Sequence, residues 1–267
     1  MSTDELIYKT LKERFGYETF KPGQLEVIQS VLAGQATLAV LPTGTGKSLC
    51  YQLPAYLLGH TTVIISPLIA LMQDQVAQLN YQGEKKAVAI NSNLEPRQKH
   101  ALLRQLPQYR FVFMAPETIS QPAVIQALQQ CQIDLLVIDE AHCISQWGID
   151  FRPDYLVLAQ IKHQLNPGAT LALTATADAQ VRHDILAKLD LQSANRIITS
   201  VDRPNIYLGV SQQADEASKN AFLQQLVTES QGPGIIHFSS RQKTVEIAAF
   251  LQQKTAMRVA YYHAALS

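Results

Sequence analysis

Short apolar runs recur along most of the chain, and longer stretches with helical periodicity separate them. The apolar runs cover residues 36–41, 62–66, 111–115, 135–139 and 170–174, and the helical stretches include residues 46–58, 68–79, 95–106 and 177–189. Strands that are apolar on both faces are typical of parallel sheets, whose crossover connections place helices over both sides. The alternation therefore predicts an α/β fold with a doubly wound parallel sheet.

Composition excludes several classes of protein. With 267 residues, of which 47% are hydrophobic and 16% charged, the chain can bury one large core or two smaller ones. Its 22 basic and 22 acidic residues balance, so any nucleic-acid site must be a local patch. No apolar run approaches the roughly 18 residues of a membrane span, and the N-terminus lacks the apolar core of a secretion signal. We therefore expect a cytoplasmic protein without membrane association.

Cysteine usage is consistent with that location. The three cysteines, Cys50, Cys131 and Cys143, are odd in number and form no Cys-x-x-Cys pair. This pattern argues against both a disulfide framework and a zinc cluster. We expect three reduced thiols.

A second unit is predicted after residue 205. A polar stretch at 211–220 ends the alternation of apolar runs and helical stretches. Beyond it the pattern predicts a helix at 222–230, a turn at 232–234, a strand at 235–238, a helix at 242–253 and a strand-like run at 259–262. About 60 residues with two strands are too few for a complete doubly wound domain. The predicted domains are therefore 1–205 and a truncated unit at 206–267.

A glycine-containing loop follows the first apolar run and precedes a helical stretch. Residues 41–48 read Leu-Pro-Thr-Gly-Thr-Gly-Lys-Ser, with leucine where the general P-loop pattern has glycine. Backbone N–H groups of such a loop can surround a phosphate, a lysine can neutralise its oxygens and a serine can hold Mg²⁺. The candidate nucleotide-binding residues are Thr43, Gly44, Thr45, Gly46, Lys47 and Ser48. The alternative is an ordinary turn with an exposed lysine.

Two carboxylates stand at the end of the apolar run 135–139. The segment continues as Asp139-Glu140-Ala141-His142. Ligands of parallel sheets bind at the carboxyl ends of strands, so Asp139 suits a magnesium shell and Glu140 suits the general base for an attacking water. We expect Lys47, Asp139, Glu140 and His142 to be catalytic, with Ser48 and Asp139 as magnesium ligands and the loop on a neighbouring strand. A solvated strand end is the alternative.

Several further segments complete a family pattern. They are Phe-Gly-Tyr at 15–17, Phe-Lys-Pro-Gly-Gln at 20–24, residues 66–75, residues 114–117 and the long run 139–155. Over nearly its whole length the chain resembles the RecQ DNA helicases, ATP-driven motors of superfamily 2. The resemblance implies a RecA-like P-loop NTPase domain followed by the start of a second RecA-like lobe. It also implies ATP and Mg²⁺ as cofactors.

The resemblance assigns the segment before the loop to adenine recognition. Gln24 could donate to and accept from the adenine edge, and Tyr17 could stack on the ring. Lys21 stands where the family generally has arginine, whose planar group stacks better than an ammonium. Plain core packing is the alternative for Tyr17.

The resemblance also implies an aromatic-rich loop that senses single-stranded DNA. Its candidate residues are Gln146, Trp147, Phe151 and Arg152. Aromatic rings can stack on bases and an arginine can contact phosphate. Ile149 stands where the family usually has histidine. A buried core tryptophan is the alternative for Trp147.

The remaining family segments concern coupling and the second lobe. Thr174 and Thr176 resemble the motif that links the catalytic carboxylates to the DNA side, although packing at a strand end explains them almost as well. Residues 203–205 resemble the segment between the lobes, and residues 235–241 and 261–266 resemble the opening of the second lobe, with Ala265 in place of the usual glycine.

The implied activity is DNA unwinding with 3′ to 5′ polarity in recombination and repair. Single-stranded DNA and duplex junctions would be the partners, and protein partners stay unspecified. The second-lobe arginine motif of the family is absent from these residues, and such arginines contribute about 10³ to 10⁵ in rate. We expect a shortened piece of an enzyme that binds nucleotide and hydrolyses it weakly. A non-catalytic nucleotide-dependent DNA-binding module and an RNA-directed superfamily 2 member are alternatives.

Overall fold

The computed structural model describes residues 2–147, 150–200, 206–230 and 232–264. The chain divides into two compact units, Met1–Asp202 and Arg203–Ser267, which are described separately. Some sequence predictions lie outside the described residues, namely those on Ile149, on residues 203–205 and on residues 265 and 266.

Within the described residues, the first unit contains one sheet of seven parallel strands. They are β1 (Thr37–Val40), β2 (Thr61–Ile65), β3 (Ala87–Ile90), β4 (Phe111–Met114), β5 (Ile133–Ile138), β6 (Ala169–Thr174) and β7 (Asn195–Ile198). Their order across the sheet is β3-β4-β2-β5-β6-β1-β7. All neighbouring pairs run parallel. The predicted α/β fold with a parallel sheet is confirmed. The two edge strands, β3 and β7, were not among the predicted strands.

Helices connect the strands and cover the sheet. They are α1 (Thr3–Thr10), α2 (Gln24–Leu32), α3 (Leu49–Leu58), α4 (Ile69–Tyr81), α5 (Pro96–Gln105), α6 (Pro116–Ile119), α7 (Pro122–Leu128), α8 (Leu158–Leu165) and α9 (Ala179–Lys188). Short 3₁₀ turns at Ala141–Ile144 and Pro153–Val157 follow β5. The helix predicted from residue 46 begins later, at Leu49, because Gly46 has a φ of +76° that helical backbone cannot adopt. No described helix is long and apolar enough to cross a membrane.

Both faces of the interior strands are buried, which explains why these strands read as continuous apolar runs. Along β1, Leu38 and Val40 belong to one core, whereas Ala39 and Leu41 belong to another. Successive strand residues point to opposite faces, so the two cores lie on the two sides of the sheet. With both faces covered, a site can form where the strands end.

The second unit contains two helices in its described part, α10 (Glu216–Glu229) and α11 (Arg241–Lys254). Asp215 and Ser240 cap their N-termini by accepting backbone N–H groups. The strands predicted at 235–238 and 259–262 are wrong for the described residues, which form no strand in this unit. Ile235 and Tyr262 are both 85% exposed. A strand needs a neighbouring strand for its backbone hydrogen bonds, and neither segment pairs with one among the described residues.

Candidate active site at the carboxyl edge of the sheet

One cleft at the carboxyl ends of the strands holds the phosphate loop and the acidic pair together. Its cavity volume is about 280 Å³. Its lining combines Gly44, Gly46, Lys47, Ser48, Asp139 and Glu140 with side chains of α3, β2, α4 and β4. The sequence prediction that the two motifs follow neighbouring strands is wrong, because β6 lies between β1 and β5. The cleft spans this intervening strand.

The phosphate loop is open at its tip and fixed at its base. Thr43 and Gly44 are exposed, and Gly44 has a φ of +82°. The Thr45 hydroxyl donates to the Pro42 carbonyl oxygen at 2.6 Å, which closes the turn. The loop then enters α3, whose N-terminal end adds a favourable dipole for an anion. Lys47 and Ser48, at the end of the loop, are both partly exposed.

Gln24 ties the predicted adenine-recognition segment to this loop. Its amide nitrogen donates to the carbonyl oxygens of Thr45 at 2.7 Å and Gly46 at 3.1 Å. Its amide oxygen accepts from the backbone N–H of Lys21 at 2.8 Å, and the Lys21 ammonium donates to the Gly44 carbonyl at 2.8 Å. The Gln24 side chain is buried, so in this structure it holds the loop in shape.

Tyr17 lies at the protein surface. Its side chain is 58% exposed, so the interpretation of Tyr17 as a packed core residue is wrong. A ring exposed to this extent can stack on a planar group of a ligand.

Replacing Gln24 with alanine should loosen the phosphate loop. The change removes the side-chain donor to the carbonyl oxygens of Thr45 and Gly46, although Gly46 keeps a bond from the Leu49 N–H, and it removes a buried side chain that makes three hydrogen bonds. We expect the free energy of unfolding to fall by about 1 to 3 kcal/mol and the affinity for ATP to fall with it. Urea unfolding and nucleotide titration measure both effects. Gln78→Ala, on the exposed surface of α4, is the control, and equal losses in the two variants would contradict this role.

The acidic pair begins directly after β5. The Asp139 N–H donates to the Ile65 carbonyl oxygen at 2.8 Å and so extends the ladder between β2 and β5. Burial, together with the neighbouring charge of Glu140, raises the pKa of Asp139 to about 6. The Glu140 N–H donates to the Asp139 carboxylate at 3.0 Å. Glu140 itself has a φ of +48°, a left-handed conformation that its surroundings must impose.

His142 joins the acidic pair to the end of β6. Its Nδ1 lies 2.9 Å from the Thr174 hydroxyl oxygen and 3.3 Å from a carboxylate oxygen of Glu140. The Thr174 hydroxyl donates to the Thr176 carbonyl at 3.0 Å, so it accepts from Nδ1, which carries a proton. That proton also faces Glu140. The intervening strand thus supplies a polar link between the catalytic candidates and the segment at 174–176.

The aromatic loop is exposed where its tryptophan stands. Trp147 is 75% exposed, so the interpretation of a buried core tryptophan is wrong. Gln146 beside it is exposed, and Phe151 is half-buried. The Arg152 guanidinium donates to the Pro67 carbonyl oxygen at 3.1 Å and lies 3.5 Å from the Asp150 carboxylate. Arg152 is therefore already engaged with the segment after β2.

Sequence reasoning gave no role to several residues around this cleft. Tyr51 and Gln75 line it, and the Tyr51 hydroxyl donates to the Gln75 side-chain oxygen at 3.3 Å. Tyr155 is fully buried and its hydroxyl donates to the Asp139 carbonyl oxygen at 2.9 Å. From a single sequence, a tyrosine that bonds to a site residue cannot be distinguished from one that only packs in the core. Only the fold reveals these contacts.

Known proteins share this fold and sequence pattern. Residues 21–185 match the DEAD/DEAH box helicase family. The probable ATP-dependent DNA helicase RecS of Bacillus subtilis is 46% identical over 97% of this chain and 52% of its own length. The ATP-dependent DNA helicase RecQ of Haemophilus influenzae is 40% identical over 94% of this chain and 40% of its own length.

Solved structures show the same architecture. The helicase MrfA bound to DNA has a TM-score of 0.65 at 18% identity and covers 96% of this chain and 39% of its own. The Mycobacterium smegmatis helicase Lhr, bound to single-stranded DNA and AMP-PNP, has a TM-score of 0.62 at 18% identity and covers 93% of this chain and 35% of its own. The chain spans about half the length, or less, of the curated relatives described above. It belongs to the DEAD/DEAH box helicase family, and it is similar in sequence to the RecQ and RecS ATP-dependent DNA helicases.

Proposed function

We propose that this chain forms the ATP-binding part of a RecQ-type DNA helicase, which couples hydrolysis of Mg-ATP to 3′ to 5′ translocation and unwinding. Residues 1–205 serve as the first RecA-like lobe and residues 206–267 as the opening of the second. A single observation supports this function above the others. Lys47 and the pair Asp139 and Glu140 line the same cleft although they come from separate strands. The protein acts in the cytoplasm, in recombination and repair.

Nucleotide binding uses the loop and its lysine. Backbone N–H groups around Gly44 and Gly46 surround the β-phosphate, and Lys47 neutralises the β and γ oxygens. The Ser48 hydroxyl and the Asp139 carboxylate line the same cleft, and such oxygen donors suit Mg²⁺. When bound, Mg²⁺ offsets the charge of the phosphate oxygens. The exposed Tyr17 ring stacks on the adenine, and Gln24 and Lys21 hold the loop beside it.

Hydrolysis depends on Glu140 as the general base. A carboxylate that accepts a proton from the attacking water and orients it suits phosphoryl transfer, which needs positioning above all. The Nδ1–H of His142 faces both Glu140 and Thr174. His142 thereby keeps the base oriented and connects it to the segment at 174–176.

Single-stranded DNA binds along the aromatic loop. Trp147 and Phe151 stack on bases, and each stacked base contributes about 1 to 3 kcal/mol. Gln146 provides a polar contact next to them, and Arg152 contacts phosphate once its bond to Pro67 opens. Phosphate contacts make this binding sensitive to salt. Duplex junctions bind where single strands begin.

Replacing Trp147 with alanine should uncouple DNA binding from hydrolysis. Because this side chain is 75% exposed, its loss should leave folding intact. We expect single-stranded DNA affinity to fall by about 5- to 100-fold, with stimulation of hydrolysis lost in proportion. Fluorescence anisotropy with labelled DNA and phosphate release with and without DNA measure the two effects. Tyr81→Ala, a 94% exposed tyrosine at the end of α4, is the matched control, and full stimulation in the Trp147 variant would refute the sensing role.

Hydrolysis by this chain alone is proposed to be weak. Among the described residues that line the cleft, Lys47 is the one basic side chain. A triphosphate develops charge on several oxygens during transfer, and related enzymes add an arginine worth about 10³ to 10⁵ in rate. The chain therefore binds nucleotide well and turns it over slowly.

Steady-state phosphate release in the presence of single-stranded DNA, single-stranded RNA or no nucleic acid tests the proposed function. Stimulation by DNA above RNA supports a DNA helicase. Equal or stronger stimulation by RNA indicates an RNA-directed motor instead. Nucleotide-dependent DNA binding without any hydrolysis indicates a binding module.

A further inference from the structure

A buried tyrosine lies beneath the acidic pair. Tyr155 is 0% exposed and packs in one of the two cores of the sheet. Its hydroxyl donates at 2.9 Å to the backbone carbonyl oxygen of Asp139. A buried hydroxyl needs a partner. Here the partner belongs to the residue that opens the catalytic turn.

That carbonyl is one end of the peptide that joins Asp139 to Glu140. The other polar end, the Glu140 N–H, donates to the Asp139 carboxylate at 3.0 Å. Two hydrogen bonds on one peptide fix its rotation. Glu140 has a φ of +48°, which a residue with a β-carbon adopts only when its surroundings hold it. The Tyr155 hydroxyl is thus one of two groups that keep Glu140 in this conformation.

Tyr155 is equally tied to the aromatic loop. It belongs to the 3₁₀ turn Pro153–Val157, which follows that loop directly. The Tyr155 N–H donates to the Arg152 carbonyl oxygen at 3.1 Å, and the Arg152 N–H donates to the Cys143 carbonyl oxygen at 2.8 Å. A displacement of the aromatic loop therefore moves the turn that carries the tyrosine.

We propose that Tyr155 is a positioning residue that holds the peptide between Asp139 and Glu140 in its hydrolytic conformation and makes that conformation depend on DNA bound to the aromatic loop. This inference rests on the proposed function, in which Glu140 acts on the attacking water. Tyr155 acts through the backbone of Asp139 and does not itself contact the reacting atoms.

Tyr155→Phe tests the proposal, because it removes one oxygen atom and keeps the ring that fills the core. We expect kcat with single-stranded DNA to fall about 3- to 10-fold, as for the loss of one hydrogen bond. The KM for ATP and the affinity for DNA should stay within about 2-fold, since neither ligand contacts Tyr155. Tyr56→Phe is the matched control. Tyr56 is half-buried in α3 and packs edge-on against Phe111, the first residue of β4, away from the carboxyl edge.

Amide hydrogen exchange provides a readout that does not depend on activity. The Cys143 N–H donates to the Glu140 carbonyl at 2.9 Å and reports on the same turn. In Tyr155→Phe the amides of residues 140–145 should exchange about 5-fold faster, with those of β5 unchanged. Unchanged exchange in this turn, or equally faster exchange throughout the chain, overturns the proposal, and so does an unchanged kcat with DNA in an active enzyme. If the unmodified chain hydrolyses no ATP under any condition, the proposed function fails, and the exchange comparison alone then decides on Tyr155.

Discussion

Lys47→Ala should lower ATP hydrolysis by about 10²- to 10³-fold and weaken ATP binding strongly. Lys47 is the one basic side chain among the described residues that line the cleft, and the nearby Lys21 ammonium is already bonded to the Gly44 carbonyl oxygen. The loop itself should survive, because its bonds run from Gln24, Lys21 and Thr45. Titration with a fluorescent ATP analogue and single-turnover phosphate release measure the two losses.

Lys85→Ala is the control for that experiment. Lys85 is exposed just before the amino end of β3, at the edge of the sheet opposite the cleft. Its loss changes the net charge by the same amount and should leave both measurements unaltered. Turnover by Lys47→Ala at the rate of this control would remove the phosphate loop from the proposed mechanism.

Glu140→Gln should separate binding from hydrolysis. The amide keeps the shape of the side chain but accepts no proton from water, and general-base catalysis contributes about 10² to 10⁴ in rate. We expect turnover to fall within that range while ATP affinity stays within about 3-fold, because the phosphate contacts come from the loop. Nucleotide titration and phosphate release on the same protein sample check both expectations.

Glu95→Gln is the matched control for Glu140→Gln. Glu95 is exposed at the start of α5, and its side chain does not cap that helix. It should behave as the unmodified chain in both assays. If Glu140→Gln hydrolyses ATP equally fast, another group is the base and Glu140 only shapes the cleft.

The interior strands could be predicted because double burial leaves an unmistakable apolar run. Residues 36–41 contain β1, and residues 135–139 overlap most of β5. The edge strand β7 escaped prediction because an edge strand needs no apolar side chains on both faces, and three of its four residues are exposed. The strands predicted at 235–238 and 259–262 failed for a related reason. An apolar run becomes a strand only where a neighbour accepts its hydrogen bonds.

In the candidate site, too, local motifs could be predicted from the sequence, whereas contacts between distant segments could not. Lys47 and Glu140 were predicted as site residues from sequence pattern, since each motif lies within a few residues of a strand end, and the structure places both in one cleft. The three hydrogen bonds of Gln24 and the bond from Tyr155 to Asp139 join segments separated in sequence. Such contacts depend on how the chain folds back on itself. Local pattern does not encode them.

The position of β6 between β1 and β5 sets the distance between the two strand ends that carry the candidate catalytic residues. Neighbouring strands of a sheet lie about 4.8 Å apart, so one intervening strand separates the two strand ends by roughly 10 Å. Directly paired strands would leave about half that distance. The strand order of the sheet thus separates the end of β1 from the end of β5. In a topology with β1 beside β5, the loop and the acidic pair would begin at strand ends about 5 Å apart.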